Sequence, residues 1–214
     1  MNAAYERAAP TAFVVDDDEA IRTLWRWLME SNGIPVRTFA TAPEFIAAYD
    51  DSPGCLVLDL RLPGMSGLEL QDHLKRKAQE IPIVFVTAHA DVPSAVTALK
   101  GGAVDLIEKP FSYREMLSVI RKAFERDAEA RERRARHALV AARIGALTDR
   151  ERAVLQRVIE GKQNKVIAAE LDISVKTVEV HRSNVMEKMG ADSVAALVQL
   201  TLGFPLMEPG NTPG

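Results

Sequence analysis

Five polar side chains in the first half of the chain stand at or just after short apolar runs, and their types suit chemistry on phosphate. Asp16 and Asp17 follow the run 12–15, and Asp59 lies near the end of the run 55–60. Thr87 follows the run 81–86, and Lys109 follows the run 103–107. Three carboxylates that converge repel one another and have raised pKa values unless a cation joins them. Mg²⁺ suits such a site because it prefers oxygen ligands and commonly acts beside phosphate. A carboxylate could then accept a phosphoryl group, whose oxygens a lysine and a hydroxyl would hold.

The apolar runs that carry these residues predict the strands of a parallel sheet. Five runs rich in Val, Ile and Leu, the four above and 35–39, alternate with amphipathic stretches. They lack polar–apolar alternation, which is typical of strands buried on both faces. The pattern predicts an α/β doubly wound five-stranded parallel sheet, flavodoxin-like, with helices on both faces. Ligands of such sheets bind at the carboxyl ends of the strands, so the five polar residues are expected to meet there.

The rest of the chain predicts a charged helical linker and a small all-helical domain. A short helix (164–171), a three-residue turn and a longer helix (175–189) have the spacing of a helix-turn-helix. Paired helices that bind no DNA share this pattern, so the pattern alone leaves both interpretations open. The predicted segments are 1–10 (disordered tail), 11–124 (sheet domain), 125–146 (helical linker), 147–202 (helix-turn-helix domain) and 203–214 (frayed tail).

One face of the longer helix could contact base edges if that helix lies in the major groove. This face carries Lys176, Glu179, Val180 and Ser183, at i, i+3, i+4 and i+7. Val180 could pack on a thymine methyl group, and Glu179 could accept a hydrogen bond from cytosine N4. The residues expected to contact phosphate, which positions the protein without reading sequence, are Lys165, Lys176, Thr177, Arg182 and Lys188.

Composition narrows the class of protein. The 214 residues are 47% hydrophobic and 27% charged, which is ordinary for a globular chain. No apolar run approaches the ~20 residues of a membrane span, and the first ten residues lack the hydrophobic segment of a signal peptide. The single cysteine, Cys55, excludes intramolecular disulfides and cysteine-rich zinc sites. The net charge of −3 gives no sign of nucleic-acid binding by itself. We expect a cytoplasmic protein without membrane contact.

Four motifs resemble the receiver domain of bacterial response regulators. They are Val-Val-Asp16-Asp17-Asp18, Leu-Asp59-Leu-Arg61-Leu-Pro63, Phe-Val-Thr87-Ala88 and Ile-Glu-Lys109-Pro110-Phe111. The resemblance implies that Asp59 is the phosphoacceptor, that Thr87 and Lys109 bind the phosphoryl group, and that the Lys109–Pro110 bond is cis. The Mg²⁺ ligands that it implies are Asp16 (partly through water), Asp17, Asp59 and the main-chain oxygen of Arg61.

The chain departs from the receiver pattern at Leu106, three residues before Lys109. Receivers usually place Phe or Tyr there, as a ring that turns inward on phosphorylation. Leucine keeps the apolar volume but cannot act through ring rotation. Leu106 is therefore a switch position at which the usual coupling is not expected.

The helical domain resembles the LuxR-type DNA-binding domain. The motifs are Leu147-Thr-Asp-Arg-Glu151, Gly161-Lys-Gln-Asn-Lys165 and Ser174-Val-Lys-Thr-Val-Glu-Val-His-Arg182. Together with a receiver, they resemble the FixJ/NarL class of response regulators. The resemblance implies that a sensor histidine kinase phosphorylates Asp59 and that phosphorylation promotes homodimerisation and binding to double-stranded promoter DNA. The predicted dimer contacts are Val194, Leu197 and Val198 in the last helix, together with the receiver face around its fourth helix and fifth strand.

Two other classes were weighed against this interpretation. A Mg²⁺-dependent phosphohydrolase with an Asp-x-Asp pair would need an acid two residues after Asp59, where Arg61 stands. A lactone-responsive quorum-sensing regulator would share the LuxR-type domain but would not need the phosphate-binding residues. We therefore expect a regulator rather than an enzyme, with any catalysis limited to the receiver's own phosphoryl transfer and aspartyl-phosphate hydrolysis.

Overall fold

The chain divides into two compact units, of which the first ends at Glu132 and the second begins at Arg133. The computed structural model describes residues 9–88 and 91–204. Most of each predicted tail, 1–10 and 203–214, therefore lies outside the described residues. Within the described part of the chain, no helix is long and apolar enough to cross a membrane.

The first unit is built on a five-stranded sheet in which every pairing is parallel, in the order β2-β1-β3-β4-β5. Its strands are β1 (Thr11–Val15), β2 (Val36–Phe39), β3 (Gly54–Leu58), β4 (Ile83–Thr87) and β5 (Asp105–Glu108). This topology confirms the predicted doubly wound fold. The last strand begins two residues later than predicted, because the N–H of Ala103 bonds to Ala98 at the end of the preceding helix.

The two faces of this sheet are covered by the start of the helix that follows β5 and by four helices that connect the strands. They are α1 (Glu19–Glu30), α2 (Ala42–Ala48), α3 (Gly67–Arg76) and α4 (Val92–Lys100). Successive strand residues point to opposite faces, so Phe13 and Val15 pack with α2, α3 and α4, whereas Ala12 and Val14 pack with α1. This double burial explains the unbroken apolar runs of the strands.

A 33-residue helix, α5 (Tyr113–Gly145), follows the last strand. The charged stretch after residue 124 therefore continues this helix, as predicted. Its first part differs from a solvated linker, because Asp127 is only 2% exposed. The carboxylate of Asp127 accepts hydrogen bonds from the main-chain N–H of Gly54 (2.9 Å) and from Nε of Arg131 (2.8 Å). Residues 125–132 thus belong to the packed structure of the first unit.

The second unit packs four further helices around one apolar core. They are α6 (Asp149–Ile159), α7 (Asn164–Leu171), α8 (Val175–Met189) and α9 (Val194–Thr201). The core also takes in Val140 from the end of α5. Phe204 packs against the same core and lies 5.1 Å from the ring of His137, so the predicted fraying does not begin at residue 203.

Candidate phosphoryl site and nucleic-acid interface

The order of the strands brings the predicted site residues to one edge of the sheet. Asp16 follows β1, Asp59 follows β3, Thr87 ends β4 and Lys109 follows β5. These four strands are neighbours in the sheet. The site therefore lies at the carboxyl edge and includes the β1–β3 boundary, where the strand order reverses and doubly wound sheets bind ligands.

The side chain of Lys109 joins two of the carboxylates. Its Nζ lies 2.8 Å from Oδ2 of Asp16 and 2.9 Å from Oδ2 of Asp59. Burial disfavours the ammonium form, but the hydrogen bonds to both carboxylates outweigh this and raise the pKa of Lys109 above its usual value. Lys109 is therefore charged at neutral pH. Two carboxylates share one ammonium, which leaves one negative charge uncompensated.

The acidic loop after β1 is held by its own hydrogen bonds. Oδ1 of Asp16 accepts from the main-chain N–H of Asp18, and Asp18 caps α1 through the N–H of Ala20. Arg22 donates from Nη1 to the main-chain oxygen of Asp16 at 2.8 Å. Sequence reasoning missed Arg22, although it stands one turn into the helix that the acidic loop begins. Asp17 is exposed beside this loop.

The loop after β3 fixes the carboxylate of Asp59. Oδ1 of Asp59 accepts the main-chain N–H of Arg61 at 3.0 Å, while its other oxygen meets Lys109. Gly67 at the start of α3 comes so close that a Cβ there would lie 2.3 Å from the main-chain oxygen of Asp59. A side chain at position 67 would therefore displace this loop, which explains the glycine.

The remaining receiver residues lie on β4 and β5. Thr87 is 1% exposed, and its main-chain oxygen accepts the N–H of Lys109 at 2.8 Å. The Lys109–Pro110 bond is cis, as predicted. Leu106 pairs with Phe85 across the β4–β5 ladder and packs, partly buried, against the core below the site. It therefore occupies an apolar setting on the face of the sheet that α2, α3 and α4 cover.

The donor set suits a cation that is shared with phosphate and water. Among the described residues, no three His, Cys, Asp or Glu side chains are grouped closely enough to hold a metal ion by themselves. Two converging carboxylates with one uncompensated charge nevertheless fit Mg²⁺, which usually takes one or two carboxylates and completes its shell with water and phosphate.

The second unit has helix-turn-helix geometry. The short helix α7 ends at Leu171. Asp172, which has left-handed backbone angles, begins the three-residue turn before α8. Ser174 caps α8 by accepting from the N–H of Thr177 at 3.0 Å. Arg182 on α8 donates to Oδ1 of Asn164 at the start of α7 (3.1 Å), which ties the two helices together.

Most residues of the predicted DNA face are exposed on α8. The side chain of Lys176 is 85% exposed and pairs loosely with Glu179 at 3.3 Å. Val180 is 51% exposed, although it is apolar. Ser183 is also exposed, and Lys165 is exposed on the first turn of α7.

Two of the predicted contact residues also have partners inside their own unit. Lys188 is exposed but forms a 2.6 Å ion pair with Glu151, a buried acid of the α6 capping box, and its role as a phosphate contact stays a prediction. Leu197 is fully buried in the helical core, so its side chain cannot contact a second chain. Val194, by contrast, is 38% exposed.

The architecture and both sites match known families. The response regulator receiver domain matches residues 12–121, and the luxR family of bacterial regulatory proteins matches residues 145–201. The chain belongs to the two-component response regulators that carry a receiver and a LuxR-type DNA-binding domain. The two matches describe a DNA-binding regulator rather than an enzyme of the hydrolase type.

Within this class the chain is similar to FixJ regulators. It is 45% identical over 195 residues to the transcriptional regulatory protein FixJ of Rhizobium meliloti, which covers 90% of this chain and 95% of that protein. The solved structure of the response regulator StyR is 44% identical, covers 91% of this chain and 99% of its own, and has a TM-score of 0.84. Full-length FixJ from B. japonicum is 42% identical, covers 90% and 96%, and has a TM-score of 0.57. These relatives are consistent with phosphorylation-dependent transcription regulation.

Proposed function

We propose that a sensor histidine kinase transfers a phosphoryl group to Asp59 and that this transfer switches DNA binding by the second unit. The observation that carries the proposal is the position of Lys109, whose ammonium lies between the carboxylates of Asp16 and Asp59. A carboxylate oxygen of Asp59 attacks phosphorus, the bond from phosphorus to the donor breaks, and an acyl phosphate forms. Lys109, which its partners keep protonated, can then bind the phosphoryl oxygens.

Other residues at the carboxyl edge complete the proposed site. Thr87 ends the strand beside β5 and supplies a hydroxyl for the phosphoryl group. Mg²⁺ would neutralise phosphoryl charge, and its proposed protein ligands are Asp16 (partly through water), Asp17, Asp59 and the main-chain oxygen of Arg61. The receiver would later hydrolyse its own aspartyl phosphate. Because promoter DNA is the proposed partner, we place the protein in the cytoplasm.

A small phosphodonor such as acetyl phosphate tests the phosphoacceptor. With Mg²⁺, intact mass should rise by one phosphoryl group in the wild type and should not rise in Asp59→Asn, which is nearly isosteric but lacks the nucleophile. The thermal midpoint of Asp59→Asn should stay close to that of the wild type or increase slightly, because one of two carboxylates that share Lys109 is removed. A wild-type mass shift in Asp59→Asn would refute the assignment.

For DNA, the exposed face of α8 supports a role as the recognition helix. Glu179 and Val180 are proposed to read bases, with Ser183 on the same face. The proposed phosphate contacts are Lys165, Lys176, Thr177, Arg182 and Lys188. The observation that supports this proposal is the exposure of Val180, an apolar side chain that packs against nothing in its own unit's core. A thymine methyl group would cover it.

We further propose that phosphorylation promotes a homodimer through two surfaces. On the receiver, α4 exposes Val92, Val96 and Leu99, at i, i+4 and i+7 along one side. On the second unit, α9 offers Val194 and the partly buried Val198. An aspartate at Val96 should keep the phosphorylated protein monomeric in light scattering, whereas an aspartate at exposed Thr23 should not. A phosphorylated wild type that stays monomeric both free and on DNA would contradict the proposal.

A further inference from the structure

The C-terminal end of α8 is held by a residue from outside the helix-turn-helix. The helix ends at Met189, and the left-handed Gly190 follows it. Hydrogen bonds from Gly190 to Glu187 and from Ala191 to Met186 satisfy two of the last carbonyl groups. The carbonyl of Met189 instead accepts Nη1 of Arg143 at 2.6 Å. Such terminal carbonyls need an external donor because no further turn of helix follows.

Arg143 stands in the last turn of α5, and its neighbours hold that turn against the second unit. Val140 is 3% exposed and belongs to the core of this unit, and Ile144 packs on the same core. The guanidinium packs closely against Gly190, since a Cβ on Gly190 would lie 3.0 Å from Nη1 of Arg143. A cation at this position is also favoured by the negative end of the helix dipole.

A second contact holds the same turn of α8 from the same side. Nζ of Lys188 lies 2.6 Å from Glu151 and 3.4 Å from the main-chain oxygen of Ala146, just after α5. The other end of α8 is held separately, by its Ser174 cap and by the bond from Arg182 to α7. The direction of α8 is therefore set at both ends, and one of the two supports comes from α5.

We propose that Arg143 is a positioning residue for the recognition helix, so that sequence-specific DNA binding needs the last turn of α5. Arg143 precedes the 145–201 segment that matches the luxR family, and neither helix of the helix-turn-helix contains it. Arg143 acts through the carbonyl of Met189 and touches no DNA. The inference rests on the proposed role of α8 in reading bases.

The test compares specific with non-specific DNA binding in the full-length, phosphorylated chain. The specific duplex is the one that the wild type enriches from a random-sequence pool, and the other is a scrambled version of it. Arg143→Ala should weaken binding to the enriched duplex about tenfold, the effect of losing one charged hydrogen bond, while binding to the scrambled duplex stays within about twofold. Arg143→Lys should restore most of the affinity, because a lysine can also donate to a single carbonyl.

Arg136→Ala is the matched control, since it removes an exposed arginine from the same helix. If charge alone mattered, Arg136→Ala and Arg143→Ala would lower binding to both duplexes alike and reduce the salt dependence, which would overturn the inference. Equal loss on both duplexes in Arg143→Ala alone would indicate partial unfolding and would overturn it too. A wild type that enriches no sequence would instead contradict the proposed reading of DNA by α8.

Hydrogen exchange gives a second measurement that needs no DNA. In Arg143→Ala, the amides of the last turn of α8 should exchange faster, whereas those around Leu155 in the middle of α6 should keep their wild-type rates. A double-mutant cycle with Gly190→Ala should show coupling, because the added Cβ crowds the guanidinium only when Arg143 is present. Unchanged exchange in the last turn of α8, or strict additivity in the cycle, would refute the positioning role.

Discussion

At the scale of single residues, the phosphoryl site depends on atoms that fix one another. The partly buried ammonium of Lys109 bonds to both carboxylates, so one cation holds Asp16 and Asp59 at the same point of the sheet edge. Arg22 adds a contact of a different kind, because it bonds to a main-chain oxygen and leaves the carboxylate of Asp16 free to face the site. Arg22 therefore orients the acidic loop without touching the acids.

Replacing Arg22 should weaken the binding of Mg²⁺. Without its hydrogen bond to the main-chain oxygen of Asp16, the loop can turn and the carboxylates lose their alignment. We expect Arg22→Ala to raise the Kd for Mg²⁺ about tenfold in calorimetric titration. Arg26→Ala is the control, since Arg26 lies one turn further along α1 and donates to the hydroxyl groups of Thr23 and Thr38. Equal affinity in the two variants would show that Arg22 has no part in the site.

The site residues that sequence could predict are those with a local signal. Asp16, Asp59 and Lys109 each stand beside an apolar run, and their meeting follows from the parallel sheet. Arg22 could not be predicted in this way, since its contact depends on the path of the main chain after β1. The ion pair of Lys188 could not be predicted for a related reason, because a charged residue on a helix gives no sign of a buried partner such as Glu151.

At the scale of elements, helical periodicity predicted the helices well but not what covers their apolar sides. Val194, Leu197 and Val198 form a stripe on α9, and a stripe of this kind fits either a second chain or the unit's own core. The structure assigns Leu197 to the core, because its side chain is fully buried among the apolar residues of this unit. The turn predicted at residues 172–174 is confirmed. It could be predicted because the residues that end one helix and begin the next have a local signal in the sequence.

Helix α6 carries a pH-dependent contribution to the stability of the second unit. The hydrogen bond from Lys188, followed by those of the Thr148 capping box, lowers the pKa of Glu151 from 4.5 to about 2. The unfolded chain therefore binds this proton at a higher pH than the folded one. The contribution is complete above the unfolded pKa and is lost as pH falls from about 4.5 towards 2. Glu151→Gln should flatten the acid limb of the urea-unfolding free energy, and Glu160→Gln, at an exposed position after the same helix, should not.

Different residues of α8 should determine the affinity for all DNA and the preference for particular base pairs. Lys176→Ala should weaken binding to every duplex and lower the salt slope by about one counterion. Val180→Ala should weaken the free energy of DNA binding by roughly 1 kcal/mol, mainly on duplexes that carry the preferred base pair. The measurement is binding to single-substituted duplexes at two salt concentrations. Equal weakening by Val180→Ala on all of them would remove Val180 from the base-reading face.

At the scale of the whole molecule, two units with separate cores share one helix in sequence. The first part of α5 contributes Asp127 to the receiver, and the last part contributes Val140 and Arg143 to the DNA-binding unit. Each unit therefore includes residues that its matched family segment, 12–121 or 145–201, leaves out. Composition placed the first limit too early, because the charged, Ala-rich sequence of 125–136 gives no sign that Asp127 is buried.

Removing the buried carboxylate of Asp127 should therefore affect one unit only. Asp127→Ala leaves the N–H of Gly54 and Nε of Arg131 without their acceptor, which should lower receiver stability by about 2–3 kcal/mol. In calorimetry, the receiver transition should move to lower temperature while the transition of the DNA-binding unit stays in place. Glu125→Ala, two residues earlier on an exposed position, should change neither. A shift of both transitions would show that the units do not unfold independently.

The two ends of α5 also determine where this chain can be recombined with another. A chimera that joins a foreign receiver to this DNA-binding unit should have its junction between Glu132 and Val140. A junction downstream of Arg143 would deprive the recognition helix of that contact, and in the reverse fusion a junction upstream of Arg131 would deprive this receiver of its last hydrogen bonds. Fusions joined within residues 133–139 should respond to a different signal while they bind the same promoters. Junctions at the ends of the family matches would damage both units.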